Sequence, residues 1–259
     1  MNHKFLTPLQ TRKWLKPLTF TSSFGTAIGA PWEILRSETV TKDGRLVEVY
    51  TKSGDLGFYH NQLVLIPDYD LVIVVLTAGL ESSSEFSELV MSKAVRGILP
   101  AIEEAGKEEA HVSFAGTYAD TASNSTLKLV LDDGPGFAVD TWVVRGVDFL
   151  AHFFSFSTSP RSGPVPPIAA RLYPTNLAAG KQTAWRAVFE VGSPEERAFD
   201  VDADLFWPQG SCVVWGQMDR QVYAYNALDE FVFTTTESPA GAVAEAVTMK
   251  GFQVSLKRA

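Results

Sequence analysis

Residues 47–58 read Val47-Glu48-Val49-Tyr50-Thr51-Lys52-Ser53-Gly54-Asp55-Leu56-Gly57-Phe58. From Leu46 to Thr51 apolar and polar side chains alternate, the period of a strand with one face in a core. Upstream, Lys42-Asp43-Gly44-Arg45 carries Asp-Gly, a strong short-range hairpin signal, so the stretch Pro31–Arg36 is expected to fold back against this strand. Downstream, Phe58–Ile66 predicts a further strand, closed by the turn Pro67-Asp68-Tyr69-Asp70. Leu71–Thr77 is a nearly unbroken apolar, β-branched run, which predicts a strand buried on both faces. Residues 83–105 switch to helical period. Phe86, Leu89, Val90, Ala94, Ile98 and Ile102 share a stripe that is expected to face the core, and Gly97 and Pro100 are expected to weaken or kink the last turns. Before all this, residues 1–25 predict a short helical turn and a loop.

Gly106-Lys107-Glu108-Glu109 reads as an exposed helix end and linker, which divides the chain into 1–107 and 108–259. Beyond it the pattern is strand after strand: Phe114–Ala119, Ser125–Asp132, Phe137–Val144, Ala169–Tyr173, Thr183–Val191, Cys212–Met218, Glu230–Thr235 and Phe252–Lys257. Asp132-Asp133-Gly134-Pro135-Gly136 is a turn cluster among them. The expected class is α+β: a partial antiparallel sheet with one helix at its C-terminal end, followed by an all-β antiparallel barrel or sandwich.

The formal net charge is −8 and the pI about 5.1. That balance argues against nucleic acid, whose phosphates need a basic footprint, and against anionic membranes. A single cysteine, Cys212, rules out an internal disulfide and fits a reducing compartment. No signal-peptide pattern opens the sequence and the longest apolar stretch, Leu71–Ala78, is far below spanning length. The expected setting is cytoplasmic.

The triplet Lys52-Ser53-Gly54 resembles the Lys-Thr-Gly element of serine β-lactamases and penicillin-binding proteins. Other pieces follow in matching order: Trp14-Leu15-Lys16-Pro17, Gly29-Ala30-Pro31-Trp32-Glu33-Ile34, Tyr50–Asp55, and Pro67-Asp68-Tyr69. Together they resemble the C-terminal end of a class C β-lactamase-related serine hydrolase of the kind common in fungi. Residues 112–259 resemble the β-rich domain attached to such proteins, through Gly116-Thr117-Tyr118, Leu228–Phe233 and the closing Leu256-Lys257-Arg258. The resemblance implies a Ser-x-x-Lys nucleophile and a Tyr-x-Asn base in an upstream region. Ser125-Thr126-Leu127-Lys128 is the only Ser-x-x-Lys here, and it falls in a strand, where residues three apart point to opposite faces. Tyr59-His60-Asn61, the only Tyr-x-Asn, follows the lysine strand directly and reads as ordinary strand. An expected truncated β-lactamase-like domain therefore precedes the β domain.

By the resemblance, Lys52 and Ser53 are the candidate catalytic residues, Lys52 positioning a substrate carboxylate and supporting proton transfer. The backbone N–H of Asp55 would complete an oxyanion hole, and Gly54 would let a ligand approach. His60 is a candidate for the same cleft or its far side. His152 lies amid aromatics and could line a pocket with Tyr118, Trp142, Trp185, Trp207 and Trp215; the alternative is an aromatic core with one hydrogen-bonded histidine. No zinc spacing, phosphate loop or nucleophile elbow is present, and Asp200-Val201-Asp202-Ala203-Asp204 lacks the glycine and glutamate of a calcium loop, so neither metal nor cofactor is expected. Three functions remain open: an accessory, non-covalent tailoring protein for a small apolar metabolite in secondary metabolism, part of an active serine hydrolase or acyltransferase, or a noncatalytic binding protein. Uncovered surfaces of the Phe86 and Ile98 kind predict a homodimer or docking to a complementary domain.

Overall fold

A computed structural model describes residues 5–156, 167–192, 218–238 and 241–259. The chain forms two compact units, Met1–Gly106 and Lys107–Ala259.

In the first unit, helix α1 (Pro8–Trp14) starts at a capping box: the Thr7 hydroxyl accepts from the Gln10 N–H, and the Gln10 side chain accepts from the Thr7 N–H. Strands β1 (Thr19–Phe20), β2 (Thr26–Ile28), β3 (Glu33–Ser37), β4 (Val47–Leu56), β5 (Tyr59–Ile66) and β6 (Leu71–Ala78) form one antiparallel sheet in sequential order. Lys52-Ser53-Gly54 does not end its strand. β4 runs on to Leu56 and turns at Gly57, whose φ of 59° suits the first position of a two-residue hairpin loop.

Period-two alternation gives this sheet two distinct faces. One carries Val47, Val49, Val64 and Ile66, which pack on Met91, Val95 and Leu99 of helix α2 (Ser84–Phe114). The buried stripe of α2 is thus Ser87, Met91, Val95 and Leu99, at four-residue spacing. The expected stripe is displaced: Phe86, Leu89 and Ile98 are exposed. The reason is competition between two apolar stripes on one helix, decided by the β-branched rows of the sheet, which no helical period reveals. The helix also continues nine residues past its expected end at 105, through the supposed linker and past Pro100. Pro100 gives up one backbone donor, and the rest of the ladder holds.

On the other face Ala27, Trp32, Ile34 and Tyr50 form a small cluster with Leu15, Leu63 and Leu65 against it. The Trp14 ring lies 4.8 Å from that of Trp32. Beyond this cluster the face is open. Strand β6 is therefore not buried on both sides: Val72 is 59 % exposed, Val74 55 % and Leu76 73 %. It is an edge strand, and its composition reflects an apolar face that no described element covers.

The second unit is a closed barrel. Its strands are β7 (Gly116–Asp120), β8 (Ser125–Val130), β9 (Phe137–Val144), β10 (Val147–Asp148), β11 (Ile168–Ala179), β12 (Gln182–Val191), a small pair β13 (Val222–Tyr223) and β14 (Asn226–Ala227), β15 (Glu230–Ser238), β16 (Gly241–Met249) and β17 (Val254–Arg258). The order β9-β11-β12-β15-β16-β17-β7-β8 closes through the β8–β9 pairing, an eight-stranded barrel with β10 appended. Side chains fill it: Trp142, Tyr118, Phe137, Phe231 and Phe233 are fully buried. Trp142 meets Phe149 at 4.3 Å and Phe231 at 5.0 Å between ring centroids. The expected strand Cys212–Met218, Trp207, Trp215 and the Asp200–Asp204 run lie outside the described residues, apart from Met218.

The turn 132–136 wraps a buried cation. Arg171 donates to both carboxylate oxygens of Asp132 and to the Pro135 carbonyl. This bidentate bond holds the Asp132 carboxyl below the ordinary carboxylate range. A carboxylate depressed in the folded state supports the fold at pH above its unfolded value and loses that support as pH falls through the folded one. Asp132→Asn is accordingly expected to flatten part of the loss of barrel stability that this linkage predicts below pH about 4, measured by urea denaturation across pH.

Candidate functional site

Register settles where the candidate residues point. Lys52 lies opposite Leu63, and Leu63 opposite Val74. Gly54 lies opposite Asn61 and Leu76, and Tyr50 opposite Leu65 and Val72, by the same two pairings. Lys52 and Gly54 therefore stand on the open face. Ser53 pairs with Gln62 and Asp55 with His60, on the face that packs against α2. The strand thus presents its candidates to two sides, and no single cleft takes all of their side chains.

The Lys52 ammonium donates to Glu33 Oε1 at 2.6 Å, both groups partly exposed. Such a pair adds little to folding, in the range of about 0–1 kcal/mol. The neighbouring Tyr50 hydroxyl donates to Glu48 Oε2 at 3.1 Å. Burial, followed by the adjacent Glu48 charge, pushes the Tyr50 phenol well above its ordinary range, so it remains protonated and is no proton acceptor. Gly54 is the informative residue. It sits inside β4, its φ is not positive, and a Cβ built there meets nothing within 4 Å. A glycine in mid-strand weakens a sheet and packs nothing. Neither turn geometry nor crowding within this fold asks for one.

On the opposite face His60 Nδ1 lies 2.6 Å from Asp55 Oδ1. Around them Thr77 donates to the His60 carbonyl at 2.7 Å, and its hydroxyl meets that of buried Ser87 at 3.0 Å. This polar group ties the β4–β5 hairpin to the first turns of α2, whose start is capped where Ser83 Oγ accepts from the Phe86 N–H. Neither Thr77 nor Ser87 stood among the sequence candidates, and only the β5–β6 register and the displaced helix stripe reveal them.

The remaining candidates separate. His152 is exposed, its Nδ1 2.9 Å from the Asp148 carbonyl oxygen, whereas Tyr118, Trp142 and Trp185 are buried in the barrel. Ser125 is buried and accepts from the Arg145 N–H, while Lys128 is exposed beside Asp140 at 3.1 Å. The two point to opposite sides of β8, as the strand reading of that Ser-x-x-Lys expects. Among the described residues no group of three or more metal-ligating side chains converges, and no helix is long and apolar enough to cross a membrane.

A "Beta-lactamase-like protein" of Arthroderma benhamiae is 30% identical over 247 residues, 87% of this chain and 41% of that relative. "Probable hydrolase clz13" of Cochliobolus lunatus and "Probable hydrolase M10" of a Phoma species are each 22% identical over 160 residues, 60% of this chain and 26% of each relative. The chain thus spans less than half the length of these relatives. No solved structure matches. A family model described as Beta-lactamase-like-like, C-terminal domain, matches residues 106–259, the whole of the barrel, and the chain belongs to that family.

Proposed function

We propose that this chain is the lysine-bearing part of a β-lactamase-like hydrolase and has no attacking serine of its own. It acts by positioning and electrostatics on the open face of the sheet, with Lys52 set against a substrate carboxylate or acyl oxygen and Gly54 leaving the approach clear. The attacking hydroxyl comes from a separate segment, in the same polypeptide or another, that closes over this face. The substrate class is a small, largely apolar acyl compound of the kind processed in secondary metabolism; the hydrolase names of the Cochliobolus and Phoma relatives support a hydrolytic reaction, and Leu63 and Val74 in register with Lys52 support an apolar substrate. The observation that carries the reading is Gly54: a strand glycine with open space above it serves something that comes from outside this fold.

The test separates folding from function. Gly54→Val is expected to stabilise the first unit by about 0.5–1 kcal/mol, since a β-branched residue replaces a mid-strand glycine. Lys52→Ala is expected to leave stability within about 1 kcal/mol. Each chain is then mixed with the part of the Arthroderma relative that lies outside the matched 41% and assayed with a chromogenic acyl ester. Turnover is expected only in the mixture, and both substitutions are expected to remove it. Turnover that survives both substitutions would mean that this face takes no part. A lower stability for Gly54→Val would mean that the glycine serves the fold itself.

A further inference from the structure

In the second unit, the excursion from residue 219 to residue 229 is tied together as a rigid finger. Its two ends are stapled at the base. Arg186 of β12 donates through Nη1 to Asp219 Oδ1 at 2.7 Å and to Asp229 Oδ1 at 2.9 Å, and the Asp219 N–H donates to Asp229 Oδ2 at 2.8 Å. Above this staple the Leu228 N–H donates to the Gln221 carbonyl at 2.9 Å, and β13 pairs with β14, Val222 opposite Ala227 and Tyr223 opposite Asn226. The loop left between them has two residues, Ala224 and Tyr225, with φ of 47° and 64°. A two-residue hairpin loop with positive φ at both positions is the turn that asparagine and glycine make most easily. Alanine and tyrosine adopt it against the contact of their own Cβ with the backbone. Asn226 holds the turn in place, its Nδ2 donating to the Ala224 carbonyl at 3.0 Å.

Nothing in the described barrel explains the tyrosine. Tyr225 is fully exposed, and Val222 and Tyr223 beside it are exposed as well. A glycine at 225 would relax the backbone and give up no packing. A bulky ring kept where the backbone disfavours it, on a support tied at base and tip, marks a contact with something outside the chain.

Shape, charge and area select the occupant. The ring stands clear of the surface, whereas a pocket for a small molecule needs concave walls. No residue from Gln221 to Leu228 is charged, and the preceding Asp219 and Arg220 carry opposite signs, so the tip has no cationic footprint for phosphate or anionic lipid. Two tyrosines offer about 300–500 Å² of contact, well short of the roughly 800 Å² per partner of a stable protein–protein interface. Two exposed phenols do fit a neutral sugar chain. The C–H face of a pyranose ring lies against the electron-rich face of an aromatic ring, and the phenol hydroxyl both donates to and accepts from sugar hydroxyls. A β-1,4-linked chain is flat and turns such C–H faces outward on both sides.

We propose that the hairpin tip Val222–Tyr225 is a binding site for a neutral β-linked oligosaccharide, with Tyr223 and Tyr225 as the stacking residues. The site lies on the barrel, and the proposed hydrolytic function neither requires it nor supplies it.

The probes are cellohexaose and chitohexaose, with hexagalacturonate as the anionic counterpart and phosphatidylcholine vesicles as an apolar surface. Binding to the full chain is followed by calorimetric titration and by the ring resonances of the tyrosines. One or both neutral hexasaccharides are expected to bind, to shift the Tyr223 and Tyr225 rings, and to keep the same affinity at low and high salt. Tyr223→Ala and Tyr225→Gly are each expected to weaken binding about tenfold, the effect of removing one stacked ring. Tyr225→Gly is also expected to raise the urea midpoint of the barrel. Ala224→Gly is expected to raise that midpoint while keeping the sugar bound, which separates the conformation of the turn from the role of the rings. Failure of the wild-type chain to bind either neutral hexasaccharide, or binding that survives both tyrosine substitutions, would overturn the proposal. Tighter binding of hexagalacturonate or of vesicles than of the neutral sugars would do the same, as would self-association by light scattering that Tyr225→Gly abolishes. A lower urea midpoint for Tyr225→Gly would assign the ring to the fold itself and overturn the proposal as well.

Discussion

Trp142→Ala is expected to cost about 3–5 kcal/mol of barrel stability, the largest loss from any single truncation in the chain. Trp142 is 1% exposed and sits where the two sides of the closed barrel meet. Its ring touches Phe149 and Phe231, stacks on Phe189 at 5.9 Å and 14°, and meets the edge of Phe252 at 6.1 Å. Alanine would leave a cavity walled by rings that belong to β12, β15 and the segment after β10, none of which can collapse inward without breaking the strand ladder that closes the barrel. Trp142→Phe is the informative partner. Among the described residues the indole N–H has no hydrogen-bond partner, so phenylalanine removes an unpaired buried donor while keeping most of the aromatic contact. Its loss is expected to be less than half that of alanine. Urea midpoints followed by amide exchange of β15 measure both. Equal losses would mean that the indole N–H is bonded after all.

Gly136→Val is expected to cost about 2–5 kcal/mol, combining left-handed strain of about 1–2 with overpacking of about 1–3. Gly136 has φ of 64°, and a Cβ there would lie 2.6 Å from the Leu172 carbonyl oxygen and 3.0 Å from the Tyr173 ring. The turn cannot retreat, because Arg171 holds it through Asp132 and Pro135. Gly180 supplies the control. Its φ is 60°, but a Cβ there meets nothing within 4 Å. Gly180→Val is expected to show the strain alone, about 1–2 kcal/mol. If the two substitutions cost the same, the packing of the turn around Arg171 contributes nothing.

The strands around the lysine triplet were legible because alternation and turn chemistry act within a few residues. Phe137–Val144 was expected at the limits it has in the structure. What failed was what depends on partners. Strand β16, Gly241–Met249, escaped notice because its first half is alanine-rich, with small Ala244 as the first buried residue, and its alternation is broken before Val247 and Met249. A register shift opposite Thr234 and Thr235 pairs Ala244 and Ala246 with consecutive residues, and Glu245 lies between them. Alanine there suits a barrel interior already filled by Phe231 and Phe233, a demand set by residues more than ten positions away. The stripe of α2 failed similarly: Phe86, Leu89 and Ile98 are as apolar as Met91, Val95 and Leu99, and only the sheet chooses between them.

For the candidate site the sequence located the strand but not its faces. Lys52, Ser53, Gly54 and Asp55 were one group in the sequence, and the β4–β5–β6 register divides them, Lys52 and Gly54 to the open side, Ser53 and Asp55 to the helix side. The resemblance had already put Gly54 forward; what the structure adds is the empty space above it, since a glycine in a sequence equally marks a turn or a crowded contact.

The proposed function has the lysine strand present here without an attacking hydroxyl. Intact-mass measurement of the full chain after prolonged incubation with a fluorophosphonate tests it most directly. The unmodified mass alone is predicted, with a Ser-x-x-Lys hydrolase in the same tube fully labelled; one adduct per chain, mapped to a serine and lost on prior heat denaturation, would contradict the account.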